Sequence, residues 1–246
     1  MKLRKKARKL FRLIAGRPSM QIAADKPARA TFPGSRRYWE ERYAGGGNSG
    51  VGSYSKFAEF KAEILNAFVA EKYIASVIEF GCGDGNQLIL ADYPRYTGID
   101  VSKTAINVCQ SKFGGDHCKY FKSLELYAGE TAELALSLDV IFHLVEDDEY
   151  EKYMARICTA ATRYVIIYSS NTNENDHKHK HIRHRKFTDW MEANASGWSL
   201  KRHIPNKYPY MGDPEQGSFA DFYIYMKATR NKPADRLLPQ LANEAS

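Results

Sequence analysis

Residues 77–85 read VIEFGCGDG, an apolar run of β-type residues that stops at three alternating glycines, Gly81, Gly83 and Gly85. Glycine lets a chain turn sharply after a strand and brings bare backbone up to a ligand. The next segment, NQLILADY, reads as a helix, so the turn is expected at a helix N-terminus. Alone, Gly-x-Gly-x-Gly decides little. The stretch YTGIDVS, residues 96–102, decides more: it is a second apolar strand, and it ends in Asp100, 19 residues beyond Gly81. An acid at that point can accept hydrogen bonds from ribose hydroxyls. SKTAINVCQSKF then reads as a helix capped by Ser102. Strand, glycine turn, helix, strand, acid and helix make one nucleoside-binding half of a doubly wound α/β sheet.

The rest of the chain extends this sheet. HCKYF (117–121) is a third strand, and AELALSLDVIFHL (132–144) contains the fourth. DDEYEKYMARICTAATR is a helix with acids at its start and Arg163 at its end, as the helix dipole prefers. YVIIYSSN (164–171) is apolar almost throughout, as expected of a strand buried on both faces. WSLKRHI and FADFYIYMKA supply the sixth and seventh strands. Ligands of doubly wound sheets lie at the carboxyl ends of the strands, so Asp139 to His143 and Ser169 to Asn171 are expected to face one.

Before the first strand, SRRYWEERY reads as a short charged helix, and Phe57, Phe60, Ile64, Leu65 and Phe68 mark the buried face of a second. The glycine-rich stretch YAGGGNSGVGSYSKF (43–57) joins them. It lacks the Gly-Lys pair of a phosphate-binding loop. By its residues alone it is a flexible connector.

The net charge of +7 is a feature of one end. Eight basic residues precede the first acid, Asp25, and without them the chain carries −1. Residues 1–17 place Leu3, Ala7, Leu10, Phe11 and Ile14 along one helical face, the pattern of an amphipathic helix on an anionic membrane surface. Residues 1–34 are therefore expected to be a basic tail and linker, 35–230 the catalytic domain, and 231–246 a C-terminal tail. No apolar run is long enough to span a membrane. Cys82, Cys109, Cys118 and Cys158 lack metal-type spacing and suit a reducing, cytoplasmic compartment.

Two ligand classes fit the glycine turn. Dinucleotide sites prefer Gly-x-Gly-x-x-Gly, whereas here the third glycine comes one residue early. Glu79, just before the turn, disfavours a pyrophosphate and favours a cation. S-adenosylmethionine is such a ligand, with a sulfonium, an ammonium and no phosphate. In VIEFGCGDG followed by YTGIDVS the chain resembles the class I S-adenosylmethionine-dependent methyltransferases. That resemblance implies a seven-stranded Rossmann-like sheet with its last strand antiparallel and S-adenosylmethionine as cofactor. It also implies that Glu79, Gly81, Cys82, Gly83, Gly85, Asp100 and Val101 contact the cofactor. The resemblance further implies that the glycine-rich stretch is a hinged lid, with Tyr43 and Tyr54 touching cofactor or substrate. More narrowly, YWEERYAGGGNSGVGSYSKFAEFKAEILNAFV, SLDVIFHLVEDDEYEKYM and HIRHRKFTDW resemble methyltransferases found with bacterial cell-surface polysaccharide biosynthesis. A glycan acceptor, reached from the cytoplasmic face of the membrane, follows from that likeness.

Methyl transfer to a hydroxyl gains from a base beside the acceptor. His143 stands after the fourth strand and is the first candidate, Asp139 the second, with Asp147 and Asp148 as rivals that could equally cap their helix. His181, Arg183, His184 and Arg185 are expected to clamp an anionic, carboxylate- or phosphate-bearing acceptor, since guanidinium groups grip such anions two-pronged. Asn171 and the lid tyrosines complete the expected acceptor site. His177, His179 and His181 alternate, but the lysines between them would repel a cation. Asp139 and Asn171 fall short of a catechol-type metal pair, so no metal is expected. RNA methylation is the rival enzymatic reading, and the lack of basic excess in the core argues against nucleic acid. A nucleoside-binding or membrane adaptor that kept the fold and lost the chemistry is the non-enzymatic alternative.

Overall fold

The structure, a computed structural model, describes residues 32–175 and 179–228. Seven strands form one sheet: β1 (Val77–Phe80), β2 (Tyr96–Asp100), β3 (Lys119–Ser123), β4 (Ala132–Leu138), β5 (Ala161–Ser169), β6 (Trp198–Ile204) and β7 (Asp221–Lys227). Their order is β3-β2-β1-β4-β5-β7-β6. The first five pair in parallel, while β7 runs antiparallel to both β5 and β6. Among the described residues five α-helices accompany them: α1 (Ser35–Ala44), α2 (Ser55–Glu71), α3 (Lys103–Phe113), α4 (Asp147–Ala160) and α5 (Phe187–Asn194). This is the doubly wound sheet with a reversed last strand that the sequence implied.

Alternation along the strands divides the core in two. Val77, Leu134, Leu136, Ile166 and Tyr168 point to the face covered by α2 and α3, where Phe60, Leu65, Phe68, Ile106 and Cys109 meet them. Ile78, Phe80, Ala135, Val165 and Ile167 point to the other face, against Tyr153, Met154 and Ile157 of α4 and Phe187 and Met191 of α5. Both faces are covered, so the central strands are largely apolar, with Glu79 of β1 and Ser137 of β4 as buried exceptions. β6 is the exposed edge, and its Lys201, Arg202 and His203 discourage pairing with another chain.

Several boundaries depart from the sequence reading, among them β5, which runs Ala161–Ser169 in place of 164–171. NQLILADY does not form an α-helix: a single 3-10 turn, Gln87–Leu90, follows the glycines. Few residues separate it from β2 at Tyr96, Pro94 lies among them, and α2 already covers this flank. Asn66 of α2 donates to Leu90 O at 2.9 Å and accepts from Asp92 N at 3.0 Å, binding the short crossover to that helix. The glycine turn is therefore not a helix N-terminus. α4 stops at Ala160 rather than Arg163, because β5 starts at Ala161 and Arg163 ion-pairs with Glu133 from within the strand. β3 runs two residues later than expected. The cap on α3 is as expected, with Ser102 Oγ accepting from Ala105 N at 3.0 Å.

Candidate functional site

The sheet order reverses between β1 and β4, and the chain leaves those two strands in opposite directions. Such a switch point opens a crevice at the carboxyl ends of the strands. A cleft of about 1020 Å³, open solvent at its mouth included, lies there. Glu79, Gly81, Cys82 and Gly83 line it from β1 and its turn, Asp100 and Val101 from the end of β2, and Asp139 and His143 from beyond β4. Tyr43 and Trp39 line it from α1.

The glycine turn is shaped by what surrounds it. Gly83 has φ +56°, and a Cβ there would stand 2.3 Å from Ser49 Oγ and 2.7 Å from the Tyr43 hydroxyl. A Cβ on Gly81 would stand 2.4 Å from a Val140 methyl. Gly85 does not line the cleft; a Cβ there would strike Phe113 and Cys109, so it lets α3 approach the turn. Asp100 is buried, and its two carboxylate oxygens accept from Gly83 N at 2.9 Å and Ser102 N at 2.8 Å. Burial raises its pKa to about 6 against the opposing pull of those amides. Glu79 is also buried and pushed up to about 7, although the Tyr96 hydroxyl, donating at 2.7 Å, and Lys61 favour its charged form. These acids, with bare backbone between them, suit a cationic nucleoside better than a pyrophosphate, and the lysine that touches the turn, Lys112, donates to Asp84 O at 2.7 Å. The residues fit S-adenosylmethionine.

The glycine-rich loop between α1 and α2 is bonded to the glycine turn. Asp84 Oδ2 accepts from Ser49 N at 3.1 Å and from the Tyr54 hydroxyl at 2.8 Å, while Asp84 N donates to Ser49 Oγ at 3.0 Å. Burial pushes the Asp84 carboxyl up, yet these bonds and the Asn86 amide outweigh it and leave the pKa below the ordinary value. Tyr43 adds a hydroxyl contact to Ser49 at 3.0 Å. Tyr43 thus faces the cleft as expected, whereas Tyr54 is spent on Asp84 and does not line it. α1 roofs the opening, fixed by Ser35 to Glu146 at one end and by Glu40 to Thr104 at the other.

His143 differs from the neutral-pH base its position suggests. Its Nδ1 lies 3.0 Å from His181 O, a bond that needs the proton on Nδ1 and leaves Nε2 with a lone pair. Trp39 meets the ring edge-on at 4.8 Å, and His181 stacks on it at 5.5 Å. Desolvation lowers its pKa to about 3, so it is a neutral acceptor at physiological pH. Asp139 holds the left-handed φ of +60° and pairs with Lys61, whose Nζ lies 2.7 Å from Oδ2. Asp147 is the first residue of α4, whose N-cap is Glu146, and its carboxylate pairs with two arginines instead of capping the helix.

Those arginines correct the anion clamp. Arg185 is 11% exposed; it donates to Leu144 O at 2.5 Å, Val145 O at 3.0 Å and Asp147 Oδ1 at 3.0 Å, with its guanidinium 4.5 Å from the Tyr150 ring centroid. Arg183 is tied to Val145 O and Asp147. These bonds brace the β4–α4 loop, and neither arginine lines the cleft. His181 packs between Tyr38 and His143. His184, bonded to Ser170 Oγ at 2.7 Å, and Asn171, bonded to Thr188 at the start of α5, line a second, more open cleft with Tyr210, Phe219, Glu174 and Asp221. His177 and the basic tail, residues 1–17, lie outside the described residues. Among the described residues, no group of three or more His, Cys, Asp or Glu side chains could hold a metal ion, and no helix is long and apolar enough to cross a membrane.

Sequence reasoning passed over Lys61, Gln87 and Asp84. Lys61 had a signal: it occupies the buried stripe of α2 between Phe57 and Leu65, where a charge is out of place. Asp84 read as an ordinary turn residue, and its partners lie 30 and 35 residues away.

Comparison with known proteins agrees with this geometry. Residues 78–166 match the family model described as a methyltransferase domain. The N-methyltransferase NodS from Bradyrhizobium japonicum WM9, solved with S-adenosyl-L-homocysteine, is similar with a TM-score of 0.61 and 12% identity over 78% of this chain and 98% of that one. Magnesium protoporphyrin IX methyltransferase from Synechocystis PCC 6803, solved with S-adenosylmethionine, gives 0.57 and 14% over 82% and 100%. The methyltransferase domain of bacterial CtHen1 gives 0.52 and 22% over 68% and 97%. No curated protein matches the chain.

Proposed function

We propose that this protein, an S-adenosylmethionine-dependent methyltransferase by its domain and fold, methylates a hydroxyl group of a glycan-type acceptor. When bound, the cofactor supplies an electrophilic methyl group, whose carbon–sulfur bond breaks as the bond to the acceptor oxygen forms. The chain's own residues account for the remainder. The glycine turn and Asp100 receive the nucleoside, and α1 with the loop bonded to Asp84 covers part of the cleft. An oriented, dry site supplies most of the acceleration of such a displacement.

The observation that carries the hydroxyl reading is His143. Fixed through Nδ1 to His181 O and neutral, it offers Nε2 at the cleft as an acceptor. A hydroxyl brings the proton that such an acceptor needs, and His143 orients it before receiving its proton as the oxygen is alkylated. The glycan part of the reading is supported by the sequence resemblance and by the second cleft beside the site. There Tyr210 and Phe219 bring aromatic rings and Glu174 a carboxylate, while Asn171 is already bonded to Thr188 and Asp221 to His203 and Asn206. The two carboxylates, and the engagement of Arg183 and Arg185 elsewhere, favour an uncharged sugar over the anionic acceptor expected from sequence.

The test is methyl transfer from labelled cofactor to neutral, acidic and amino-sugar oligosaccharides, over pH 5.5 to 8.5. The proposal predicts O-methylated neutral product. It also predicts a His143 contribution that does not titrate, because a pKa of about 3 leaves the ring neutral throughout. His143→Ala should lower kcat with little change in cofactor affinity. Transfer only to amines, or a His143→Ala enzyme of wild-type rate, would refute it.

A further inference from the structure

Lys61 is a buried cation that the methyl-transfer reading leaves unused. Its side chain is 1% exposed, its Nζ lies 2.7 Å from Asp139 Oδ2, and it stands 5.3 Å from the Tyr168 ring centroid. A buried ion pair is weak support for stability, since apolar residues of the same size often serve as well. This pair lines the cofactor cleft.

A third group stands at the same wall. Gln87, 9% exposed, also lines the cleft; its Nε2 donates to Ala58 O at 3.0 Å, and its Oε1 has no hydrogen-bond partner among the described residues. A buried acceptor left unpaired costs roughly 1–3 kcal/mol, so its retention calls for a donor from outside the chain. The lid leaves room for one: Gly52 lies over Asp139, where a Cβ would come within 3.0 Å of Oδ2.

We infer that Lys61, Asp139 and Gln87 bind the amino-acid end of the cofactor, Lys61 taking the α-carboxylate, and Asp139 with Gln87 Oε1 taking the α-ammonium. The inference rests on the S-adenosylmethionine reading and deepens it. One cation, one anion and one spare acceptor form the complement of an amino-acid zwitterion. Inserting the zwitterion into the Lys61–Asp139 pair leaves every charge with a counter-charge and gives Gln87 its donor. The sheet order supports the placement. Asp100 ends β2 and Asp139 follows β4, on opposite sides of β1, so ribose and amino-acid groups of one extended ligand would reach them across the glycine turn. Two strand spacings, about 10 Å, separate those flanks.

The test is calorimetric titration of wild type, Lys61→Met, Lys61→Arg and Gln87→Leu with S-adenosylhomocysteine and, separately, with 5′-methylthioadenosine, which lacks both the α-ammonium and the α-carboxylate. Wild type should prefer S-adenosylhomocysteine. Lys61→Met should weaken that ligand roughly 10- to 100-fold, the loss of one charge-assisted bond, and leave methylthioadenosine within about twofold. Lys61→Arg should recover part of the loss. Gln87→Leu, which keeps the ion pair, should weaken S-adenosylhomocysteine alone and so provides the test should Lys61→Met not fold. Equal weakening of both ligands, or of neither, overturns the inference while the cofactor reading stands. Wild type that binds neither ligand overturns both.

Discussion

Replacing Gly83 by alanine tests how closely the lid and the glycine turn depend on each other. The residue holds φ +56°, and a Cβ would stand 2.3 Å from Ser49 Oγ and 2.7 Å from the Tyr43 hydroxyl. A left-handed backbone costs an alanine about 1–2 kcal/mol. Neither hydroxyl can stay in place, so the Tyr43–Ser49 contact and the Ser49 bonds to Asp84 are also lost. At about 1 kcal/mol for each net hydrogen bond, the total is roughly 4–5 kcal/mol. In a domain of this size each kcal/mol lowers the melting temperature by about 2–4 °C, so Gly83→Ala should melt roughly 8–20 °C early. Gly129 supplies the control: its φ is +97°, yet nothing lies within 4 Å of its Cβ position, so its alanine variant suffers the backbone cost alone. The assay is thermal unfolding of both variants beside wild type, followed by titration with S-adenosylhomocysteine. Equal melting temperatures for the two variants, or unchanged ligand affinity in Gly83→Ala, would refute the claim that this turn is packed against the glycine-rich loop.

Asp100 makes cofactor affinity depend on pH. Its pKa of about 6 means that the acceptor form fills in as pH rises, so S-adenosylhomocysteine should bind roughly 10-fold more weakly at pH 5 than at pH 7, and Asp100→Asn should flatten that slope. The same shift has the opposite sign for the ligand-free fold. The buried carboxyl holds its proton longer than the unfolded one, so its contribution, about 3 kcal/mol, is complete below pH 4 and lost as pH rises through 6, which denaturant melts at each pH would reveal. Arg185→Met removes three donor contacts that brace the β4–α4 loop, so it should cost about 2–4 kcal/mol of stability. A variant of unchanged melting temperature but raised acceptor KM would return Arg185 to the anion clamp.

The elements that sequence revealed are those whose reason is local. VIEF and YTGID are apolar, short and stopped by glycine or acid, so the strands and the ends that carry ligand groups could be placed from their own residues. The reversed β7 followed from resemblance, and the two helices before β1 from periodicity. What escaped detection depends on partners far along the chain. QLIL resembles a helix by composition, but α2 occupies the flank such a helix would cover, and the crossover to β2 is too short. Arg183 and Arg185 look like an anion site until Asp147, 38 residues earlier for Arg185, is found beside them. His143 stands where a base should be, and only the packing of Trp39 and His181 around it shows how weak a base it is. Lys61 is the intermediate case, since a lysine among the phenylalanines of α2 is a visible anomaly whose partner, Asp139, only the fold identifies.

Titration of the purified protein with S-adenosylhomocysteine, beside NAD and repeated with Asp100→Ala, tests the central claim most directly. The account predicts micromolar binding of S-adenosylhomocysteine, no binding of NAD, and a marked loss of affinity in the variant. Binding of NAD in preference, or S-adenosylhomocysteine affinity indifferent to Asp100, would contradict it.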